Sequence, residues 1–400
     1  PLLQDFDLPP FSAIKPEHVE PAIDQLLADS RAQIASLLQS KDGFSWDSLV
    51  LPMDEMAARL GQAWSPVSHL NAVCNNAELR EAYEACLPKL SEFWTEMGQN
   101  LELFAAYKAL ADSQEAQELN DAQRKVLANE LRDFHLSGID LPPEQQARYG
   151  EIQKELSELS SRFSNQLLDA TQAWTKHITD ESVLAGLPES ALGQLAQAAA
   201  EKQLEGWLVT LEFPSYYAIM TYADDRALRE EVYTAYSTRA SEQGPNADEF
   251  DNSAVMTRTL ELRQELAEVL GFAHYSELSL ATKMAETPQQ VLEFLNDLAV
   301  RSKPYAERDL EELKAFAAEQ GCDDLQSWDV GFYSEKLREQ RYSISEEEVR
   351  QYFPVDRVLN GLFSMVQRLF AIDISEEQEF ERWHPDVRRV SIRENGQIIG

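Results

Sequence analysis

The sequence predicts a mainly α protein. Glycine is sparse, at 15 of 400 residues, while Ala, Leu, Glu and Gln are abundant and lose little freedom in a helix. Apolar residues recur at helical spacing over long stretches, and strand-like runs are confined to two short regions. The chain is long enough to bury large cores in two or three domains.

Taken in order, the first helical pattern spans residues 17–38. Val19, Ile23, Leu26, Leu27, Ile34, Leu37 and Leu38 recur on one face, and Asp42-Gly43 ends the run. Patterns over 78–110 and 118–134 extend it into an antiparallel helical bundle. Gly138 closes the last, where a helix end favours a residue without Cβ. After Pro142-Pro143, steps of three and four link Tyr149, Ile152, Leu156, Leu159, Phe163, Leu167, Ala170 and Trp174. That stripe predicts a helix about 50 Å long at ~1.5 Å per residue, packed within the protein. A free coiled coil is the alternative for the same spacing.

WLVTLEF at 207–213, bounded by Gly206 and Pro214, is the clearest strand. Helical patterns resume beyond Tyr222. Thr287-Pro288-Gln289-Gln290 reads as a capping box with proline at the first helical position. Pro304 is expected to kink or restart that helix, and Gly321 to close it. Ser345 with Glu348 makes a second capping box. Residues 387–393 read as a strand, Asn395-Gly396 as a hairpin turn and 397–400 as the returning strand. The strand near 210 and this hairpin are expected to share one small sheet. Because the chain stops within a strand, it reads as the amino-terminal portion of a longer protein.

The 35 basic and 70 acidic side chains give a formal charge of -35. Such a chain repels phosphate backbones and anionic lipid, which argues against nucleic acid and membrane as partners. It also favours peptides without clustered acidic residues. No apolar run reaches the ~20 residues of a membrane helix, and the start lacks a signal-peptide layout, so the cytoplasm is the expected location. Cys74, Cys86 and Cys322 are too few and too scattered for a disulfide framework or zinc cluster.

A helical metallopeptidase site needs two His four residues apart, a neighbouring Glu to take a proton from bound water, and a third ligand. His18, His69, His135, His177, His274 and His384 have no such spacing, and His-Glu-x-x-His is absent. Phosphate-binding glycine loops and the Gly-x-Ser-x-Gly elbow are absent too. The acidic runs Glu346-Glu347-Glu348 and Asp323-Asp324 lack calcium-loop spacing and read as solvated helix starts, where negative charge suits the dipole.

Several blocks nevertheless carry a pattern. They are LPPFSAIKPEHVEPAI at 8–23, SPVSHLNAV at 65–73, LRDFHLSGIDLP at 131–142, YSTRASEQGPNADEFDN at 236–252 and RTLELRQELAEVLGFAHYSELSLATKMA at 258–285. Trp328-Asp329-Val330-Gly331-Phe332-Tyr333, Tyr352-Phe353-Pro354 with Gly361-Leu362-Phe363, and Trp383-His384-Pro385-Asp386-Val387-Arg388 follow. In this order, they resemble the thimet oligopeptidase family of zinc metallopeptidases. Phe332 stands where that family usually has Tyr, so one hydroxyl is missing.

The resemblance implies a large helical peptidase fold, two lobes around a deep channel, with zinc on the channel floor. It implies oligopeptide substrates, a monomer and zinc ligands beyond Gly400. No catalytic, cofactor-binding or metal residue is therefore assigned within the chain. The expected division is a helical region at 1–180, a connector with a strand at 181–222, and the start of the metallopeptidase domain at 223–400. A complete, non-catalytic helical binding module is the alternative.

Overall fold

Helix α1 (Val19–Leu37) shows how the apolar spacing becomes structure. Val19, Ala22, Ile23, Leu26, Leu27 and Ile34 are all buried, one stripe on one face. The computed structural model describes residues 1–40 and 43–400, apart from the side chain of Glu346. Asp42, expected to help end the first helix, lies outside the described residues; α1 itself stops at Leu37.

The chain continues through α2 (Leu51–Val73), α3 (Ala77–Gly98), α4 (Leu101–Ala111), α5 (Glu115–Glu118), α6 (Asp121–Leu136) and α7 (Pro143–Ala173). The single pattern over 78–110 divides at Gln99-Asn100, because Asn100 accepts a hydrogen bond from the Leu103 amide at 3.0 Å and starts a new helix. Then come β1 (Thr175–Ile178), α8 (Glu189–Glu201), β2 (Trp207–Thr210), α9 (Phe213–Tyr222), α10 (Arg226–Ser237), α11 (Ser253–Val269) and α12 (Tyr275–Leu280). The last elements are α13 (Pro288–Glu319), α14 (Ser327–Tyr342), α15 (Glu346–Arg350), α16 (Val355–Phe370), β3 (Asp373–Glu377), β4 (Arg389–Glu394) and β5 (Gln397–Ile398). The protein is mainly α, as its composition implies.

Contacts divide the chain into two compact units. The first holds Pro1–Ser161, Glu261–Tyr275 and Phe370–Gly400. Its core packs α1 against α2 and α3 through residues such as Ile23, Leu26, Leu60, Val67, Leu90 and Phe93. A neighbouring cluster joins α4 and α6 through Leu103, Tyr107, Leu127 and Phe134. The second unit holds Arg162–Leu260 and Ser276–Leu369. Its larger cluster includes Ile178, Leu195, Val209, Leu211, Ile219 and Val232, and a smaller one joins α13 and α14 through Phe316, Phe332 and Tyr333.

The long helix after Pro142-Pro143 is present as 31 residues. Tyr149 and Ile152 near its start and Ala170 near its end are buried, whereas Phe163 and Leu167 are 38% and 37% exposed. Helix α13 runs unbroken through Pro304, so that proline does not restart it. Thr287 caps α13, accepting from the Gln290 amide at 3.2 Å. The Gln290 side chain reaches past the cap to the Glu286 amide at 2.9 Å. Ser345 likewise accepts from the Glu348 amide at 3.1 Å, although α15 ends at Arg350.

The strands correct two expectations. β2 ends at Thr210, not 213, because Pro214 sits in the first turn of α9 and Glu212 is its N-cap. The strand near 210 and the terminal hairpin do not share a sheet: β2 pairs antiparallel with β1, and the hairpin pairs with β3. Each region thus takes a four- or five-residue partner, Thr175–Ile178 or Asp373–Glu377, too short to stand out by periodicity. The hairpin turn is as expected, with Asn395 and Gly396 at φ of 50° and 82°. Ile392 and the chain end exchange amides, Ile392 N to Gly400 O at 2.7 Å and Ile399 N to Ile392 O at 2.9 Å.

Candidate functional site

The blocks singled out from the sequence sit at junctions within each unit. In the first unit three of them meet in an aromatic cluster. Trp383 lies edge-on to Phe11 at 5.0 Å and to His69 at 4.3 Å between ring centres. The Ser12 amide donates to Glu381 at 3.1 Å alongside. The strand segment is thereby held to the start of the chain and to α2. In the same unit, Arg148 on α7 makes a bidentate pair with Glu265 on α11, at 2.6 and 2.8 Å.

The most constrained chemistry is in the second unit, around Asp329. Its side chain is 0% exposed and Arg229 is 1% exposed. Arg229 Nη2 donates to Asp329 Oδ1 at 2.7 Å, and Arg226 Nη2 donates to Oδ2 at 2.7 Å. The Gln326 amide donates to Oδ2 at 3.0 Å. Burial pushes the Asp329 carboxyl up, but hydrogen bonds from Arg226, Arg229 and the Gln326 amide outweigh it and hold the group below the usual carboxylate range. Arg229 is further bound to the Ala223 carbonyl at 2.6 Å and the Trp328 carbonyl at 3.2 Å.

The Arg229 guanidinium lies 4.0 Å from the centre of the Phe332 ring. This contact needs a ring face and no hydroxyl, so Phe at this position leaves it intact. Asp329 therefore locks α10 to α14. Every oxygen is already hydrogen-bonded to a cation, so the group works as an anchor and not as an acid or base. Arg226 and Arg229 escaped the sequence reading. Their only signal is a spacing of three on one face of α10, and nothing local ties them to a carboxylate about a hundred positions later.

Block 236–252 forms a third junction in this unit. The Asn252 side-chain amide donates to the Phe163 carbonyl at 3.1 Å, and Arg239 lies 3.7 Å from the centre of the Tyr236 ring. Tyr236 in turn stacks on Tyr216 at 3.8 Å.

The six histidines are scattered among these elements. His18 accepts from the Lys15 amide at 3.2 Å, His135 pairs with Asp140, and His177 donates to the Glu205 carbonyl at 2.6 Å. His69 belongs to the aromatic cluster, His274 lies between α11 and α12, and His384 accepts from the Asp386 amide at 3.3 Å. Among the described residues no group of three or more His, Cys, Asp or Glu is placed to hold a metal ion. The described residues thus do not fit the zinc that the resemblance implies. No helix among them is long and apolar enough to cross a membrane. Cys74, Cys86 and Cys322 are free thiols, and burial pushes the Cys86 thiol up to about 11.

Comparison with known proteins gives the same order of blocks a wider frame. Residues 219–400 match the model of peptidase family M3, and residues 23–146 match the N-terminal domain of neurolysin and thimet oligopeptidase. Over its whole length the chain is 54% identical to oligopeptidase A of Salmonella typhimurium and 53% identical to that of Escherichia coli. It is 39% identical, over 99% of its length, to the probable cytosolic oligopeptidase A of Arabidopsis thaliana. The chain spans 59% of the length of each bacterial relative and 57% of the plant one.

Proposed function

The chain belongs to the thimet oligopeptidases of peptidase family M3, and on that premise we propose that it is the amino-terminal portion of a zinc metalloendopeptidase that hydrolyses short, unfolded oligopeptides. The observation that carries this reading is the match to oligopeptidases over all 400 residues, at 53 to 54% identity in bacterial relatives. In this reading residues 1–400 supply channel wall and scaffold, and none of them is catalytic or a metal ligand. Zinc and the proton-transfer groups belong to the part of the family's length that the chain does not span.

The scheme of a helical region at 1–180, a connector at 181–222 and the start of the peptidase domain at 223–400 is part of the proposal. So are a cytoplasmic location and a monomeric state. The apolar surface of α16 supports it. Val355, Val358, Leu362, Met365 and Leu369 are all exposed at steps of three and four, the pattern of a helix that packs on another apolar face.

Zinc content and peptide cleavage should be measured in parallel on this chain and on the longer protein the proposal requires. The expected result is about one zinc and chelator-sensitive cleavage in the longer protein only. Absence of both from the longer protein overturns the reading and favours a helical binding module.

A further inference from the structure

The second unit contains a cavity of about 560 Å³, framed by the end of α7, β1, α8, β2 and the start of α9. Its size lies within the ~300–1,000 Å³ usual for small-ligand sites. Several lining groups are already engaged within the protein. Thr171 bonds the Leu167 carbonyl at 2.8 Å, Ser215 accepts from the Thr210 amide at 3.0 Å, and Gln197 donates to Glu201 at 3.2 Å. Five others have no side-chain partner among the described residues: the amides of Gln172 and Gln194, the Thr175 hydroxyl, the Lys202 ammonium and the Glu212 carboxylate.

That set is selective. Two primary amides and a hydroxyl match the N–H and C=O groups of a peptide backbone. One cation and one anion match a free carboxylate and a free ammonium. Phosphate-bearing ligands suit the cavity poorly, because Glu201 and Glu212 set two carboxylates against the single Lys202. Planar rings suit it poorly as well, because no aromatic side chain lines it.

We propose that this cavity binds a short peptide with both ends free, its carboxylate on Lys202 and its ammonium on Glu212. The site lies within one unit, goes beyond the peptidase reading and does not depend on it. Solvated ion pairs of this kind contribute about two- to fivefold each to affinity.

The test titrates trialanine, N-acetyl-trialanine and trialanine amide into the 400-residue chain, following amide chemical shifts and checking by mass that each peptide stays intact. Trialanine is expected to bind, with either cap weakening it about two- to fivefold. Lys202→Met should make amidation of the carboxylate inconsequential, and Glu212→Gln should do the same for acetylation of the amine. Both side chains are exposed, so the variants should fold normally. No saturable shift with trialanine, or binding that neither substitution changes, overturns the proposal. Because hydrolysis is not read, either result leaves the peptidase reading to its own test.

Discussion

Asp329 holds its charge without contact with water, and Arg229 beside it is 1% exposed. Two charges removed from solvent are tolerable only while they remain paired and hydrogen-bonded. Asp329→Asn preserves shape but leaves the Arg229 guanidinium without its counter-charge, which should cost about 3–5 kcal/mol. Urea unfolding should show this as a midpoint lowered at similar slope, whereas an unchanged midpoint would mean the pair contributes nothing. The pH dependence follows from the direction of the shift. A carboxyl held below its unfolded value of ~3.9 adds stability above that pH, and the increment disappears as pH falls through the folded value. The gap between the protein and the Asn variant should therefore narrow below about pH 4. The Trp328-Asp329 block was legible in the sequence, but its role was not. A buried ion pair needs both partners to be known, and here they lie on different helices.

Among the elements, helices were legible because their signals are local. The stripe on α1 and the Thr287 cap of α13 each arise from residues within one or two turns. Strand pairing was not legible, since the partner of β2 lies before α8 and that of β4 lies before a loop, with nothing in either run to specify the match. Turns between elements differ in how far they can bend to a substitution, and two glycines separate the causes. Gly321 follows the end of α13 at φ 90° with nothing within 4 Å of a built Cβ. Gly321→Ala should cost only the left-handed backbone penalty, about 1–2 kcal/mol. Gly186 has a similar φ of 91°, but its Cβ would lie 2.3 Å from the Tyr222 carbonyl at the end of α9. Gly186→Ala must move backbone too, which adds roughly 1–3 kcal/mol. Thermal unfolding of the two variants should rank them in that order, and equal losses would mean the close approach is not a constraint.

At the scale of the molecule, two forces oppose each other. A formal charge of -35 keeps copies of the chain apart. Against it stands the stripe on α16, where Val355, Val358, Leu362, Met365 and Leu369 are between 45% and 70% exposed. The sequence showed this stretch only as two short blocks, because a helical stripe reads the same whether it is covered or bare. Exposed apolar rows of this regularity associate, while charge repulsion acts only over the Debye length, ~10 Å at 0.1 M salt and ~3 Å at 1 M. The 400-residue chain should therefore sediment as a monomer in dilute salt and associate as salt rises, with binding of an apolar dye at every salt concentration. Leu362→Glu with Met365→Glu interrupts the stripe at its centre without touching a buried side chain. That variant should stay monomeric in high salt and lose most of the dye signal. Association as strong as in the parent chain would place the driving surface elsewhere, and would also remove α16 from the support for the proposed function.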